Sequence, residues 1–198
     1  TASPRSSFFP PTALPHNPNL PEGFFAKWEK IYGQANAAAF DKHNWDYYIR
    51  DVFDAFYPGY WDMYPSLNGA IGMTYETDGG GFKGLNWTRD DGTIVTSNAK
   101  HKAERLLDFY DFRAKGMADG AKAKLKRVVV VPDADRVKSA EMIELLRRSN
   151  IEVKVASAPF ESRTAHSYLE KNAPAATRTF PAGSYVIDLD QPQRIFIK

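Results

Sequence analysis

A single carboxylate, Glu76, stands where this sequence can place acid–base chemistry. It closes the run Gly69-Ala70-Ile71-Gly72-Met73-Thr74-Tyr75-Glu76 and is followed by Thr77-Asp78 and three glycines, Gly79 to Gly81. Ile71, Met73 and Tyr75 alternate with smaller residues, the period-2 pattern of a pleated strand. The spacing predicts a buried strand that delivers Glu76 to its end, beside a loop whose glycines let the backbone turn freely. A carboxylate so placed can take and return a proton as a general base and acid. It can equally cap the strand end or pair with a nearby cation.

Other reactive side chains are scattered. The histidines are His16, His43, His101 and His166, far apart in sequence, and no two of them fall in an HExxH spacing. Each reads as a structural or solvent-facing residue, so no zinc site is expected within this chain alone. Cysteine is absent, which removes disulfides, thiolate metal sites and cysteine nucleophiles together. There is no GxSxG elbow, and the triple glycine lacks the lysine and hydroxyl residue of a phosphate loop. Pro132-Asp133-Ala134-Asp135 stands where a dinucleotide fold needs glycines. Among the aromatic residues from Trp45 to Tyr64, Tyr57 and Tyr60 flank Pro58-Gly59. That turn exposes both rings, whereas their neighbours read as core.

The elements that must hold these groups follow from the chain in order. Six prolines in the first 21 residues forbid a helix or a central strand, and Phe8, Phe9 and Leu14 suggest a segment wrapped on a surface. A helix is expected over residues 21–43, with Asn19 as cap, Pro21 in the first turn and Glu22 at the positive end. Its apolar stripe reads Phe24, Trp28, Ile31, Tyr32, Ala35, Ala38 and Ala39. A short helix between Trp61 and Leu67 precedes the Glu76 strand. Asp91-Gly92 marks a hairpin, and Ser97 or Asn98 caps a helix over 98–118 with Ala103, Leu106, Leu107, Tyr110 and Ala114 inward.

The pattern changes near residue 122. Val128 to Val131 is the short apolar run of a buried parallel strand. A helix over 136–149 and a strand over Ile151–Ala156 complete a βαβ unit. A weak helix over Ala165–Lys171 and a strand over Ser184–Leu189 follow. This second part is too small to cover a full sheet, and it is expected to continue past residue 198.

Composition narrows the class. With 198 residues, 43% hydrophobic and 25% charged, the chain is long enough for one large or two small globular domains. A net charge of +2 gives no commitment to nucleic acid or to an anionic membrane. No apolar run approaches the roughly 18 residues that a membrane helix requires. No signal peptide is read at the N-terminus.

Residues 57–109 resemble the C-terminal part of a zinc metallocarboxypeptidase of the carboxypeptidase A type. The resemblance is carried by Gly69 to Glu76, then Asp78-Gly79 and Gly81-Phe82, the hairpin, and a closing helix with Glu104. It implies that Glu76 is the general base and acid, and that Tyr57 or Tyr60 binds the substrate carboxylate. The whole chain is similar to a bacterial subgroup in which the peptidase domain precedes a class I glutamine amidotransferase-like domain. Phe8-Phe9-Pro10-Pro11, Pro15-His16-Asn17-Pro18-Asn19-Leu20-Pro21 and Tyr57-Pro58-Gly59-Tyr60 carry that wider likeness.

The resemblance implies an α/β fold: a mixed sheet with flanking helices, the C-terminal half of a carboxypeptidase-like domain, over residues 1–121. The βαβ segment over 122–198 then starts an amidotransferase-like domain. Zinc belongs to the complete family enzyme, and the resemblance implies that its HxxE pair and later histidine lie before residue 1. The expected partners are a peptide substrate and the missing N-terminal half of the catalytic domain. The isolated chain is expected to be inactive, and the family favours a periplasmic or secreted location. A non-catalytic peptide-binding module and an assembly part are the alternatives.

Overall fold

The computed structural model describes residues 7–76, 99–132, 135–170 and 173–198. The fold is mixed α/β. It forms two compact units, Thr1–Ala114 together with Lys198, and Lys115–Ile197.

The first unit opens in the proline-rich segment, which is core rather than surface. Phe8 and Phe9 are each 1% exposed. Strand β1 (Ser7–Phe8) pairs in parallel with β3 (Tyr47–Tyr48), and β2 (Ala13–His16) pairs in parallel with β4 (Asp54–Ala55). Proline survives in β2 because, among the described residues, that strand has one partner only and its register shifts between Ala13 and His16. The expected surface position holds for Leu14 alone among the three apolar residues singled out there.

Helix α1 (Phe24–His43) starts at Gly23, whose φ of 73° supplies the left-handed turn into it, later than Pro21. It ends at Asn44, also left-handed, whose N–H returns to the carbonyls of Phe40 and Asp41. The buried face is Phe25, Trp28, Glu29, Tyr32, Gly33, Asn36 and Phe40. Of the expected stripe, Trp28 and Tyr32 belong to it, and Ala38 is exposed. The rotation has a local cause: Gly33 lies against Pro10, where an added Cβ would meet the carbonyl oxygen at 2.6 Å. Rings fill the space around α1. Phe9 lies 4.7 Å from Tyr47 and 5.2 Å from Phe40 between ring centroids, and Phe8 lies 4.7 Å from Phe53.

Helix α2 (Met63–Leu67) is the expected short helix, and Met63, Ser66 and Leu67 are buried. Helix α3 (Lys102–Lys122) docks on α1 through charge as well as rings. Lys27 Nζ donates to Asp108 Oδ2 at 2.8 Å and pairs with Glu104 Oε1 at 2.7 Å, while Trp28 Nε1 donates to the same Asp108 oxygen at 2.8 Å. Hydrogen bonds to Asp108 and Glu104 hold the Lys27 ammonium above its ordinary pKa. Burial pushes the Asp108 carboxyl up, but the bonds from Lys27 and Trp28 outweigh that and leave it below the usual value. The expected α3 stripe is not inward, since Leu106, Leu107 and Tyr110 are all more than half exposed. The side of α3 that packs instead carries Arg105, Asp108 and Phe112.

In the second unit, β5 (Arg127–Val130), α4 (Arg136–Arg148) and β6 (Lys154–Val155) keep the expected order. Strand β9 (Tyr185–Asp188) lies between β5 and β6 and is antiparallel to both. The unit is therefore a split βαβ, and Val128 to Val130 lie beside an antiparallel neighbour. Strands β7 (Phe160–Ala165) and β8 (Ala176–Phe180) form a hairpin in which Phe160 stacks on Phe180 at 5.2 Å. Ala165 ends β7, and no helix is described between it and Glu170, in contrast to the weak helix expected there. Helix α5 (Arg194–Ile197) follows β9.

Candidate functional site

The segment leading to Glu76 is held by side chains rather than by a sheet ladder. Residues 71–75 form no strand. The Gly72 N–H donates to Ser66 Oγ at 3.0 Å, and the same hydroxyl donates to the Asp62 carbonyl at 2.8 Å. Thr74 Oγ1 donates to Asp62 Oδ2 at 2.7 Å, and Asn36 Nδ2 donates to Tyr75 Oη at 2.8 Å. Gly72 has no room for a side chain, since a Cβ would lie 1.7 Å from the Asp62 carbonyl oxygen. The alternation of apolar and small residues there therefore reflects this close passage over α2 and not a pleat. The expected buried central strand is corrected accordingly.

Sheet-like pairing begins only at Glu76. Its N–H donates to the Phe8 carbonyl at 3.1 Å and its carbonyl accepts from the Phe8 N–H at 2.8 Å, a single antiparallel bridge. The Glu76 backbone is thus fixed to a residue of the aromatic core, and the residue itself is exposed. The glycine loop from Gly79, the Asp91-Gly92 hairpin and the Ser97 and Asn98 cap lie outside the described residues.

Tyr57 and Tyr60 come together as the Pro58-Gly59 turn requires. Tyr60 N–H donates to the Tyr57 carbonyl at 3.1 Å, and the two rings meet edge to face with centroids 5.3 Å apart. They are 58% and 48% exposed. Tyr60 lines a cavity of about 920 Å³ together with Trp61, Asp62, Phe53, Thr74 and Tyr75, and the chain from Ile71 to Tyr75 runs along it into Glu76. Tyr57 packs on Tyr60 and is not part of the cavity wall.

Two residues of this wall carry no role in the sequence reading. Trp61 is 95% exposed, a large apolar ring left in solvent beside a cavity. Asp62 uses one oxygen on Thr74 and lies under Gly72. A signal for Trp61 is present in the sequence: it follows the exposed Tyr60 directly and precedes Met63, which begins a helix and is fully buried.

Comparison with protein-family models, with curated proteins and with solved structures finds no match to this chain. The site is therefore read from its own geometry. Among the described residues no three His, Asp or Glu side chains converge as metal ligands. His16 packs on Phe25, His43 stacks on Trp45 and His101 meets Glu104 and Trp28. These residues do not fit a zinc ion. Among the same residues, no helix is long and apolar enough to cross a membrane.

Proposed function

We propose that the first unit is a peptide-recognition part of a carboxypeptidase-type catalytic domain. The chain from Ile71 to Glu76 with the Tyr57–Tyr60 turn then forms one side of its substrate cleft. The observation that carries this reading is the fixed position of Glu76: its backbone is bonded to Phe8 in both directions just past Tyr75, the last residue of the chain along an aromatic-lined cavity, and the residue is exposed. In that role Trp61 and Tyr60 hold an apolar side chain of the peptide, and the Tyr60 hydroxyl donates to its terminal carboxylate. Glu76 holds the proton to be moved. Zinc belongs to the complete site of that family, and the described residues do not fit it, so no step through it is assigned to this chain.

The exposure of Glu76 favours a second reading, in which the same cleft binds peptides without cleaving them. Titration with N-benzoyl-glycyl-phenylalanine, followed by tryptophan fluorescence, tests the shared premise. Saturable quenching that falls about tenfold in affinity in Trp61→Ala, on the scale of one buried aromatic contact, is expected. Equal affinity in Trp61→Ala and Tyr60→Phe would remove the cleft from consideration. Binding that survives Glu76→Gln unchanged supports the non-catalytic reading. Turnover by the isolated chain would overturn the expectation that it is inactive.

A further inference from the structure

The hairpin of the second unit presents an open strand edge. Among the described residues, β7 and β8 pair only with each other. The residues from Ala176 to Thr179 are all exposed, although side chains along a strand alternate between its faces, so neither face of β8 is covered there. Alternate N–H and C=O groups along β8 point away from β7. Among the described residues, no backbone hydrogen bond from Ala176 to Phe180 leads anywhere but to β7. The strand is nonetheless well made for a ladder. Thr177, Thr179 and Phe180 favour extended backbone, and Phe180 is fixed at the hairpin base by its stack on Phe160.

The two outer edges of the hairpin differ. Between the pairs Ser162–Arg178 and Ala165–Ala176, β7 uses one residue more than β8. That bulge bends β7 and breaks the spacing of its outward groups, a device by which exposed edges resist further pairing. β8 keeps an unbroken register from Arg178 to Phe180. β7 also answers its own charge, since Arg163 Nε lies 3.7 Å from Glu161 Oε1. Arg178 stands in the middle of β8 opposite Ser162, which has no charge to offer. Among the described residues, no carboxylate pairs with Arg178.

Charge decides what can occupy the β8 edge. Residues directly opposite across a ladder have Cβ atoms about 4.5–5.5 Å apart, and like charges there repel. An antiparallel copy of β8 centred on Arg178, the register that would use the whole strand, sets the two arginines against each other. A strand with a carboxylate at that position forms a cross-strand ion pair instead. We infer that the outer edge of β8 is a docking site for an extended acidic segment of another protein, which adds as a third strand and sets an Asp or Glu against Arg178. Backbone hydrogen bonds supply the affinity, while the arginine selects the partner and rejects a second copy. The site lies within the second unit and does not depend on the peptide reading of the Tyr60 cleft.

Nitrogen-15 NMR of the full chain tests this with two end-blocked peptides, Thr-Val-Glu-Val-Thr and Thr-Val-Lys-Val-Thr. The glutamate peptide is expected to shift the amides of Thr177 to Phe180 saturably. The lysine peptide is expected to bind about fivefold more weakly, the scale of an exposed ion pair. Methylating every peptide nitrogen removes the ladder donors and is expected to abolish the shifts. Arg178 is exposed, so Arg178→Glu leaves the hairpin folded and reverses the preference, the lysine peptide then binding more tightly. Equal binding of the two peptides, no saturable shift, or shifts along β7 or at Tyr60 and Trp61 in place of β8 would overturn the assignment. A dimer of the native chain joined through β8, read by sedimentation and by slowed exchange of the β8 amides, would also overturn it, in favour of a second copy.

Discussion

The two units of the chain build their interiors from different side chains. The first buries Phe8, Phe9, Phe25, Trp28, Tyr32 and Phe40, whereas the second buries Ile143, Ile151, Val186, Ile187 and Leu189. An aromatic side chain removes about 150–250 Å² from water, so a few of them make a core without much regular backbone. Among the described residues the first unit accordingly carries strands of two to four residues in separate pairs. The second depends on a three-stranded sheet, with only Ile143 of α4 fully inside and Val137 and Leu145 left exposed. Irregular backbone held by rings and polar side chains is also what surrounds the Tyr60 cavity of the first unit. A cleft can form where the backbone groups are satisfied by side chains, because no ladder has to pass through it.

The comparison is tested hardest at its two cores. Trp28→Ala removes a ring that also donates to Asp108, and should cost about 3–5 kcal/mol in urea unfolding of the first unit. Ile187→Ala should cost about 2–5 kcal/mol in the second, since Ile187 is 2% exposed in the central strand. A smaller loss at Trp28 than at Ile187 would break the idea that the aromatic interior carries the first unit.

Next come two glycines, one in each unit, that admit backbone against backbone. A Cβ at Gly72 would meet the Asp62 carbonyl oxygen at 1.7 Å, and one at Gly120 would meet the Leu189 carbonyl oxygen at 1.9 Å. Alanine at either position should cost about 1–3 kcal/mol by forcing the backbone apart. In Gly72→Ala, thermal melts should also show the loss accompanied by weaker peptide binding, because Gly72 lines the cleft. Gly120→Ala should leave peptide binding unchanged.

Charge separates the units more gently. Asp108 and Glu104 have pKa values lowered from 3.8 and 4.5, so what they contribute is present above those values and is lost as pH falls through the folded ones. Lys27 is raised above 10.5, so its contribution is complete below 10.5 and is lost as pH rises through the folded value. In the second unit Lys154 is raised by its hydrogen bond to Asp188, which acts at the alkaline end only. Urea midpoints followed from pH 6 to pH 3 should therefore fall more steeply for the native chain than for Asp108→Asn. Identical slopes would remove Asp108 from the account. The smallest expected effect is at Trp61: alanine there should change stability by no more than about 0.5 kcal/mol while weakening the peptide.

Much of the helical framework is legible in the sequence, because helices announce themselves locally. Helix α1 ends at His43 as read, and α2 falls inside the expected Trp61–Leu67. The exposed Tyr57–Tyr60 pair follows directly from Pro58-Gly59. Facing is less legible. The buried side of α1 includes Glu29 and Asn36, which a search for apolar spacing passes over, although a carboxylate one turn from Phe25 and close to Tyr32 on the same face is a visible clue. The α3 stripe misleads for the opposite reason, since Leu106, Leu107 and Tyr110 have helical spacing and remain exposed.

What the sequence by itself determined is the element type wherever neighbours within a few residues decide it: helices α1 to α4, the turn at Pro58-Gly59 and the β5–α4–β6 order. Tertiary structure decided which groups meet. The run from Gly69 to Tyr75 has the period of a strand, yet its hydrogen bonds go to Ser66, Asp62 and Asn36, because Gly72 fits against α2. Val128 to Val130 have the composition of a parallel strand, yet β9 lies beside them. Thr12 and Glu29 are 17 residues apart in sequence, and only the packing of the proline-rich segment on α1 brings hydroxyl and carboxylate to 2.7 Å. Local pattern fixes how each backbone segment is inclined to fold, while partner choice depends on long-range contacts that leave no periodic trace in the chain.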